Sequence, residues 1–335
     1  LEGLVIRLTA AARIGATIAR HESSDFSASL LALGAGVPLA AQAAAPISIR
    51  IGTQPIDSSA QALYAVDRDF FTKAGLAADL QVMNNGGAIV AAVAGGSLDV
   101  GFSNLFSFLP AFSHGIAASV VAPAALSIAT SPVEALIVRK EAPFHSGKDL
   151  DGKTVAVIGL KSITHITAEL FIDADGGDSS SVKYLELSST EMGPALLQGR
   201  MDAATIAFSD FPDAGTPDSP FRILGYPYNA IAARFLASCW IANSTWMKTQ
   251  PDALRRFQAA ILESARWANG NQPGSAAVLM KYSKMTAEQM QKFATHRVVY
   301  GESLDPQLVR PVIATAAKYG VIPAAFPAQD LFHAG

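Results

Sequence analysis

Two stretches of the chain repeat the same order of apolar and polar positions. The first opens with Ile47-Ser48-Ile49-Arg50-Ile51-Gly52-Thr53, an alternation at period two that predicts a strand running into a glycine turn. Ala62, Leu63, Val66, Phe70 and Phe71 then recur at helical spacing, and Lys73-Ala74-Gly75 supplies the glycine that ends a helix. Residues 80–83 predict a second strand, Asn84-Asn85-Gly86-Gly87 a tight loop, and residues 88–94 a second helix. After Gly96-Ser97-Leu98-Asp99 comes a third strand, Val100-Gly101-Phe102. The second stretch begins at the turn Asp151-Gly152-Lys153 and predicts a strand over 154–158, a loop over 159–162 and a helix over 164–173. A strand over 182–187 follows, then a helix led in by Ser188-Ser189-Thr190-Glu191, the turn Gly199-Arg200-Met201-Asp202, and a strand over 203–207. Both copies read strand, loop, helix, strand, loop, helix, Gly-x-x-Asp, strand.

Such βαβαβ units build parallel, doubly wound sheets, so the fold class is α/β. Ligands of these sheets bind beyond the carboxyl ends of the strands. Each half is too small to enclose a ligand, and two halves facing each other across a cleft would do so. Residues 135–139 read as a crossover strand out of the first half and 234–241 as the return, a pair of crossings able to act as a hinge. The division expected is lobe 1 from 47–134 plus 236–335 and lobe 2 from 135–235. Beyond the return the pattern is helical. Pro251 stands at a first helical position, Thr286 to Gln289 fits a capping box, and Asp305-Pro306 starts a helix that stops at Gly320. These helices are expected to pack back onto the first lobe.

Half of the 335 residues are hydrophobic and 16% are charged, a globular balance with net charge -3. That charge excludes the basic field of a nucleic-acid binder. The one cysteine, Cys239, rules out an intrachain disulfide and reads as a small buried hydrophobe. Residues 1–45 combine Arg7, Arg13 and Arg20 with a short apolar run over 29–39 and the small-x-small site Ala41-Gln42-Ala43. They predict an export leader cleaved near 43–45 and a periplasmic mature protein. Gly147 to Thr154 fits the phosphate-loop spacing, but it runs into a strand rather than opening a helix, and Asp149 and Asp151 would repel phosphate. No Gly-x-Ser-x-Gly elbow and no His pair at metal spacing occurs, so no catalytic residue, cofactor or metal is assigned.

Ile51-Gly52-Thr53-Gln54, Phe70-Phe71-Thr72-Lys73-Ala74-Gly75-Leu76 and Gly95-Gly96-Ser97-Leu98-Asp99-Val100-Gly101 resemble the sulfonate/nitrate/taurine-type periplasmic binding proteins. Asp149-Leu150-Asp151-Gly152-Lys153-Thr154-Val155-Ala156-Val157 resembles that family's second-lobe opening, and Gly199-Arg200-Met201-Asp202-Ala203 its second turn. The resemblance covers about 47–270 and rests on the order of the pieces. It implies a type II periplasmic-binding-protein fold, two lobes joined by a two-strand hinge, and a monomer that delivers a small-molecule solute to an ABC permease in the membrane. The superfamily also includes pyrimidine-precursor binders and a thiamine-pyrimidine synthase with a cysteine-rich motif, which a chain holding only Cys239 does not match. A solute sensor accessory is the third reading.

The loops after the strands are the candidate site. In the first half they carry Gln54, Asp57, Asn84, Gly86, Gly87, Ser103, Asn104 and Phe106. In the second they carry Lys161, Ser162, Thr164, His165, Glu191, Phe208 and Asp210. Helix starts at Gly86-Gly87 and Ser162–Thr164 favour an anionic group. Ser162 and Thr164 equally fit a helix cap, the Asn84 loop plain turn chemistry, Phe106 and Phe208 the core, and His165 a satisfied polar position. Asp99 and Asp202 are expected to fix the backbone at their turns. Asp57 and Asp210, if both face the ligand, favour an amino-bearing or heterocyclic solute over a simple sulfonate.

Overall fold

The computed structural model describes residues 45–83, 86–283 and 285–333. The leader expectation for 1–45 therefore falls almost wholly outside the described residues, and so does Asn84. The first half contributes β1 (Ile47–Thr53), α1 (Gln61–Asp67), α2 (Phe70–Lys73), β2 (Leu76–Val82), α3 (Gly86–Ala94), β3 (Val100–Asn104), α4 (Leu105–Ser113), β4 (Ala118–Pro123) and β5 (Ala125–Ile128). The second half contributes β6 (Glu134–Arg139), β7 (Thr154–Val157), α5 (Ile163–Ala174), β8 (Lys183–Glu186), α6 (Ser189–Leu197), β9 (Ala203–Ala207) and β10 (Phe221–Gly225). The chain then returns through β11 (Arg234–Leu236) and β12 (Ser238–Asn243). It ends with α7 (Ser244–Thr249), α8 (Pro251–Gly270), α9 (Gln272–Tyr282), α10 (Ala287–Phe293), β13 (Val299–Tyr300) and α11 (Pro306–Lys318).

The helix expected to run continuously to Lys73 is broken into α1 and α2. Asp69 takes the left-handed conformation at φ 59° between them, which a helix interior does not accommodate.

Two five-stranded sheets carry the lobes, in the orders β2-β1-β3-β12-β4 and β8-β7-β9-β6-β10. The first three strands of each are parallel, and the fourth is antiparallel to the third. The repeat read from the sequence is thus a repeat of topology. It extends to single atoms. The Asp99 carboxylate accepts from the Arg50 N–H at 2.8 Å while the Asp99 N–H donates to the Arg50 carbonyl at 3.0 Å. Asp202 makes the same two bonds to Thr154, both at 2.9 Å. Gly96 and Gly199 precede them at φ 75° and 71°, the left-handed backbone glycine adopts freely. Asp99 adds a bond to the Arg50 guanidinium at 2.5 Å that has no counterpart in the second lobe.

The crossover expectation needs correction. Residues 135–139 belong to β6, the antiparallel fourth strand of the second sheet, and 234–241 divide between β11 and β12, the latter being the fourth strand of the first sheet. The chain crosses instead through 129–133 and 226–233. Beside these crossings β11, β5 and β13 form a small separate sheet.

The C-terminal helices pack on the first lobe as their patterns predict. Pro251 opens α8, which lies against α1, α2 and β4, and Asp305 caps α11 through a bond to the Gln307 N–H at 2.8 Å. The Thr286–Gln289 capping box is present in both directions. Trp240, fully buried, donates from its indole N–H to Gln61 Oε1 at 2.8 Å, so the large ring enters the core without an orphaned donor. Cys239 beside it is buried, and burial pushes its thiol pKa up, as for an inert core residue. Among the described residues no helix is long and apolar enough to cross a membrane, and no group of three or more metal-ligating side chains assembles.

Candidate ligand-binding site

Equivalent strand ends of the two sheets converge on one cavity of about 250 Å³. β1 delivers Gln54, Ile56 and Ser58 just past its carboxyl end, β3 delivers Asn104, and the crossing segment brings Val133. From the second lobe come Glu134 at the start of β6, Ile163 at the start of α5, Ala207 at the end of β9, then Ser209 and Asp210. Tyr228, Phe293 and Val298 complete the wall from the return segment and the C-terminal region. A second hollow of about 380 Å³ adjoins it, sharing Ile56, Asp57, Ser209 and Asp210 and adding Ser189 and Thr190.

Of the residues expected at the site, Gln54, Asp57, Asn104 and Asp210 line this cavity. Asn104 caps α4, accepting from the Ser107 N–H at 2.8 Å through Oδ1, and among the described residues its amide NH₂ has no partner. Gly86 stands beside Gln54, close enough that a side chain there would touch Gln54 Oε1 at 3.8 Å. Gly87 is exposed and outside the lining.

The expectation of a free carboxylate at Asp57 is corrected. Asp57 is buried and paired with Arg297 at 2.7 Å, and it also accepts from Arg297 Nε at 2.8 Å and from the Val298 N–H at 2.9 Å. Tyr64 and Tyr300 close around the pair: the Tyr64 hydroxyl receives a bond from Arg297 at 2.8 Å, and the Tyr300 hydroxyl donates to the Asp57 carbonyl. Burial and the Asp57 charge push both tyrosine pKa values up. The charge of Asp57 is thus spent inside the fold rather than offered to a ligand.

Several other expected residues have structural roles outside the cavity lining. Phe106 is buried with Leu105, Phe108 and Leu109 in the first-lobe core. Ser103 is fully buried, its hydroxyl bonded to the Asn104 carbonyl. Phe208 is buried, its ring stacked on His296 with centroids 3.7 Å apart. Glu191 completes a capping box with Ser188, whose hydroxyl and N–H bonds hold its carboxyl below its ordinary pKa.

Lys161 is exposed in left-handed backbone, and its N–H donates to His165 Nδ1 at 2.9 Å. That bond places the neutral ring's proton on Nε2, which lies 3.6 Å from Glu169. Burial and the Lys161 charge lower the His165 pKa. Ser162 occupies the cap position of α5, but its hydroxyl bonds Thr164 at 2.8 Å rather than a backbone N–H. Thr164 in turn accepts from the Ile158 N–H at 3.2 Å.

Sequence reasoning missed Glu134 and Tyr228. Glu134 is 4% exposed yet lines the cavity; it accepts from the Thr167 hydroxyl at 3.3 Å and has the Tyr228 hydroxyl beside it. Burial pushes its carboxyl up to about 8. The signal available was a carboxylate on the first position of the apolar run Glu134-Ala135-Leu136-Ile137-Val138. Tyr228 sits on a turn with no periodicity and left no such mark.

Comparison with known proteins follows the same architecture. The aliphatic sulphonate binding protein SsuA from Escherichia coli superposes with a TM-score of 0.73 at 17% identity, covering 86% of this chain and 92% of that one. The alkanesulfonate-binding SsuA from Xanthomonas axonopodis pv. citri, bound to MOPS, gives 0.69 at 18% identity over 87% of this chain and 99% of that one. A Candida albicans protein described as having the generic periplasmic binding protein structural fold gives 0.66 at 12% identity over 84% and 92%. The chain therefore has the periplasmic-binding-protein fold. A comparison with curated proteins finds no match. The family model described as NMT1/THI5 like matches residues 57–276, well over half of the sequence, and the chain belongs to that family.

Proposed function

We propose that this protein is the extracytoplasmic solute-binding component of an ABC importer. It captures a small organic solute between its lobes and presents the closed form to a membrane permease. The observation that carries the reading is the cavity itself, built from equivalent strand ends of two repeated sheets, so that a ligand touches both lobes at once. A ligand that contacts both lobes only when they are together favours that arrangement by its differential affinity, and crossings at 129–133 and 226–233 supply the pivot. The division into lobe 1 (47–134 plus 236–335) and lobe 2 (135–235), with the first boundary moved by one residue to the start of β6 at Glu134, the export leader over 1–45 and action as a monomer belong to the same proposal. Its support includes the sulfonate-binding relatives named above and the family membership.

The role proposed is binding without chemical change, against the alternative of a synthase on the same fold. A thermal-shift screen of the protein with sulfonates, nitrate, taurine, pyrimidines, aromatic acids and amides tests it. A true solute at a hundredfold excess over Kd stabilises by about 2.7 kcal/mol. Recovery of that solute unchanged after prolonged incubation, checked by mass spectrometry, is the expected result. Its conversion to a product would replace the transport reading with an enzymatic one.

A further inference from the structure

Glu134 is a buried carboxyl in the wall of the cleft. The cavity lining among the described residues contains no lysine, arginine or histidine. Arg297, next to the lining residue Val298, is already bound by Asp57 through two nitrogen atoms. Asp210, the other free carboxylate of the lining, adds negative character at the exposed rim. Thr167 and Tyr228 give Glu134 neutral hydroxyl partners, and a carboxylate has about four acceptor sites, so capacity remains for a ligand.

A buried carboxylate without a counter-charge is unfavourable, and a donor or cation placed against it in a low-dielectric cavity interacts strongly. Beside a cationic donor the carboxyl gives up the proton that burial otherwise holds on it and gains a charge pair, whereas beside an anionic head it stays neutral and gains none. The uncapped first turn of α5 touches the cavity only through Ile163 and is compatible with an acceptor elsewhere on the ligand.

Resting on the solute-binding reading above, we infer that Glu134 is the specificity-determining residue of the cleft and selects solutes that present a nitrogen hydrogen-bond donor, such as an amine, an amidine or an amino-substituted ring. The cavity of about 250 Å³ sets the size. Benzene fills a cavity of about 150 Å³, so one ring with a short substituent fits.

The test compares probes of one size and opposite character by calorimetry and thermal shift: benzamidine and 2-aminopyridine against benzenesulfonate and benzoate. The expected result is binding of the nitrogen donors and not of the anions by the wild-type protein, with at least about a tenfold loss of affinity in Glu134→Gln, which keeps the shape and cannot ionise against the donor. The wild-type comparison stands even if that variant does not fold. Binding of the anions in preference to the donors would overturn the inference and leave the solute-binding reading intact. Equal affinity of the donors for wild type and Glu134→Gln would also overturn it. Silence of every probe would count against both.

Discussion

The ring of Phe208 lies flat on the imidazole of His296, centroids 3.7 Å apart and planes 11° from parallel. Phe208 follows the last parallel strand of the second lobe, whereas His296 lies in the C-terminal region beside β13, so the stack joins the lobes next to the cavity. His296 is fixed from behind by a bond between Nδ1 and the Pro132 carbonyl at 3.0 Å, on the first crossing. Two further contacts bridge the lobes: Lys292 to Asp213 at 2.8 Å and the Tyr319 hydroxyl to Asp173 at 2.7 Å. The ends of α10 and α11 thereby hold the second lobe against the first.

These bridges should govern lobe position more than stability. An exposed ion pair contributes about 0–1 kcal/mol and a hydrogen bond to a charged group about 1.5–3 kcal/mol, so the double variant Lys292→Ala, Tyr319→Phe should lose no more than about 4 kcal/mol. Its radius of gyration by X-ray scattering without ligand should increase. An unchanged scattering curve would show that the lobes are held by the Phe208 stack and the apolar contacts alone.

Phe208→Ala should behave differently. The ring is fully buried, and deleting such a phenylalanine costs about 3–5 kcal/mol. Denaturant unfolding should show a lowered midpoint, and a loss of less than about 1 kcal/mol would mean that the site collapses around the missing ring.

Asp57 and Arg297 stand 240 residues apart in sequence and are each 4% exposed. Arg297→Ala leaves a buried carboxylate without its cation and should cost about 3–5 kcal/mol. The paired replacement Asp57→Leu, Arg297→Met removes both charges and should recover part of that loss. A double variant as unstable as the single one would place the stabilisation in the backbone bond to Val298 rather than in the ion pair.

Stability should also carry the signature of Glu134. Its carboxyl ionises at about 8 in the fold against an ordinary 4.5, so between these values the native state holds more protons than the unfolded state. Stability contributed by this group therefore falls as pH rises through that window, is flat below it and reaches its full penalty above it. The groups facing it are Tyr228 and Thr167, with Asp210 in the same cavity and Asp57 neutralised by Arg297. Glu134→Gln should gain on wild type as pH is raised from 5 to 8.5 in denaturant titrations. A gap between the two proteins that does not change with pH would contradict the assignment.

Close packing inside the first lobe gives a further prediction. A Cβ at Gly101 would stand 2.4 Å from Ile89 Cγ2 and 2.8 Å from Val93 Cγ2. β3 and α3 approach that closely because the position lacks a side chain. Gly101→Ala should destabilise by about 1–3 kcal/mol through overpacking, measurable as a lower melting temperature.

The sequence by itself determined the architecture of this protein. Period-two and helical patterns are consequences of which face each element buries, so the repeated strand–helix order and the backbone roles of Asp99 and Asp202 were readable from neighbours in the chain. The same holds for the helix starts at Pro251, Thr286 and Asp305. Only the tertiary structure decided the chemistry of the cleft. Whether a carboxylate is free depends on partners far away in sequence: Asp57 looked available until Arg297 reached it, and Glu134, just outside the strand predicted over 135–139, carried no mark of the site until Tyr228 and Thr167 enclosed it. Local pattern records burial because burial acts on each residue where it stands. Pairing records distance in space, which a linear order of residues does not contain.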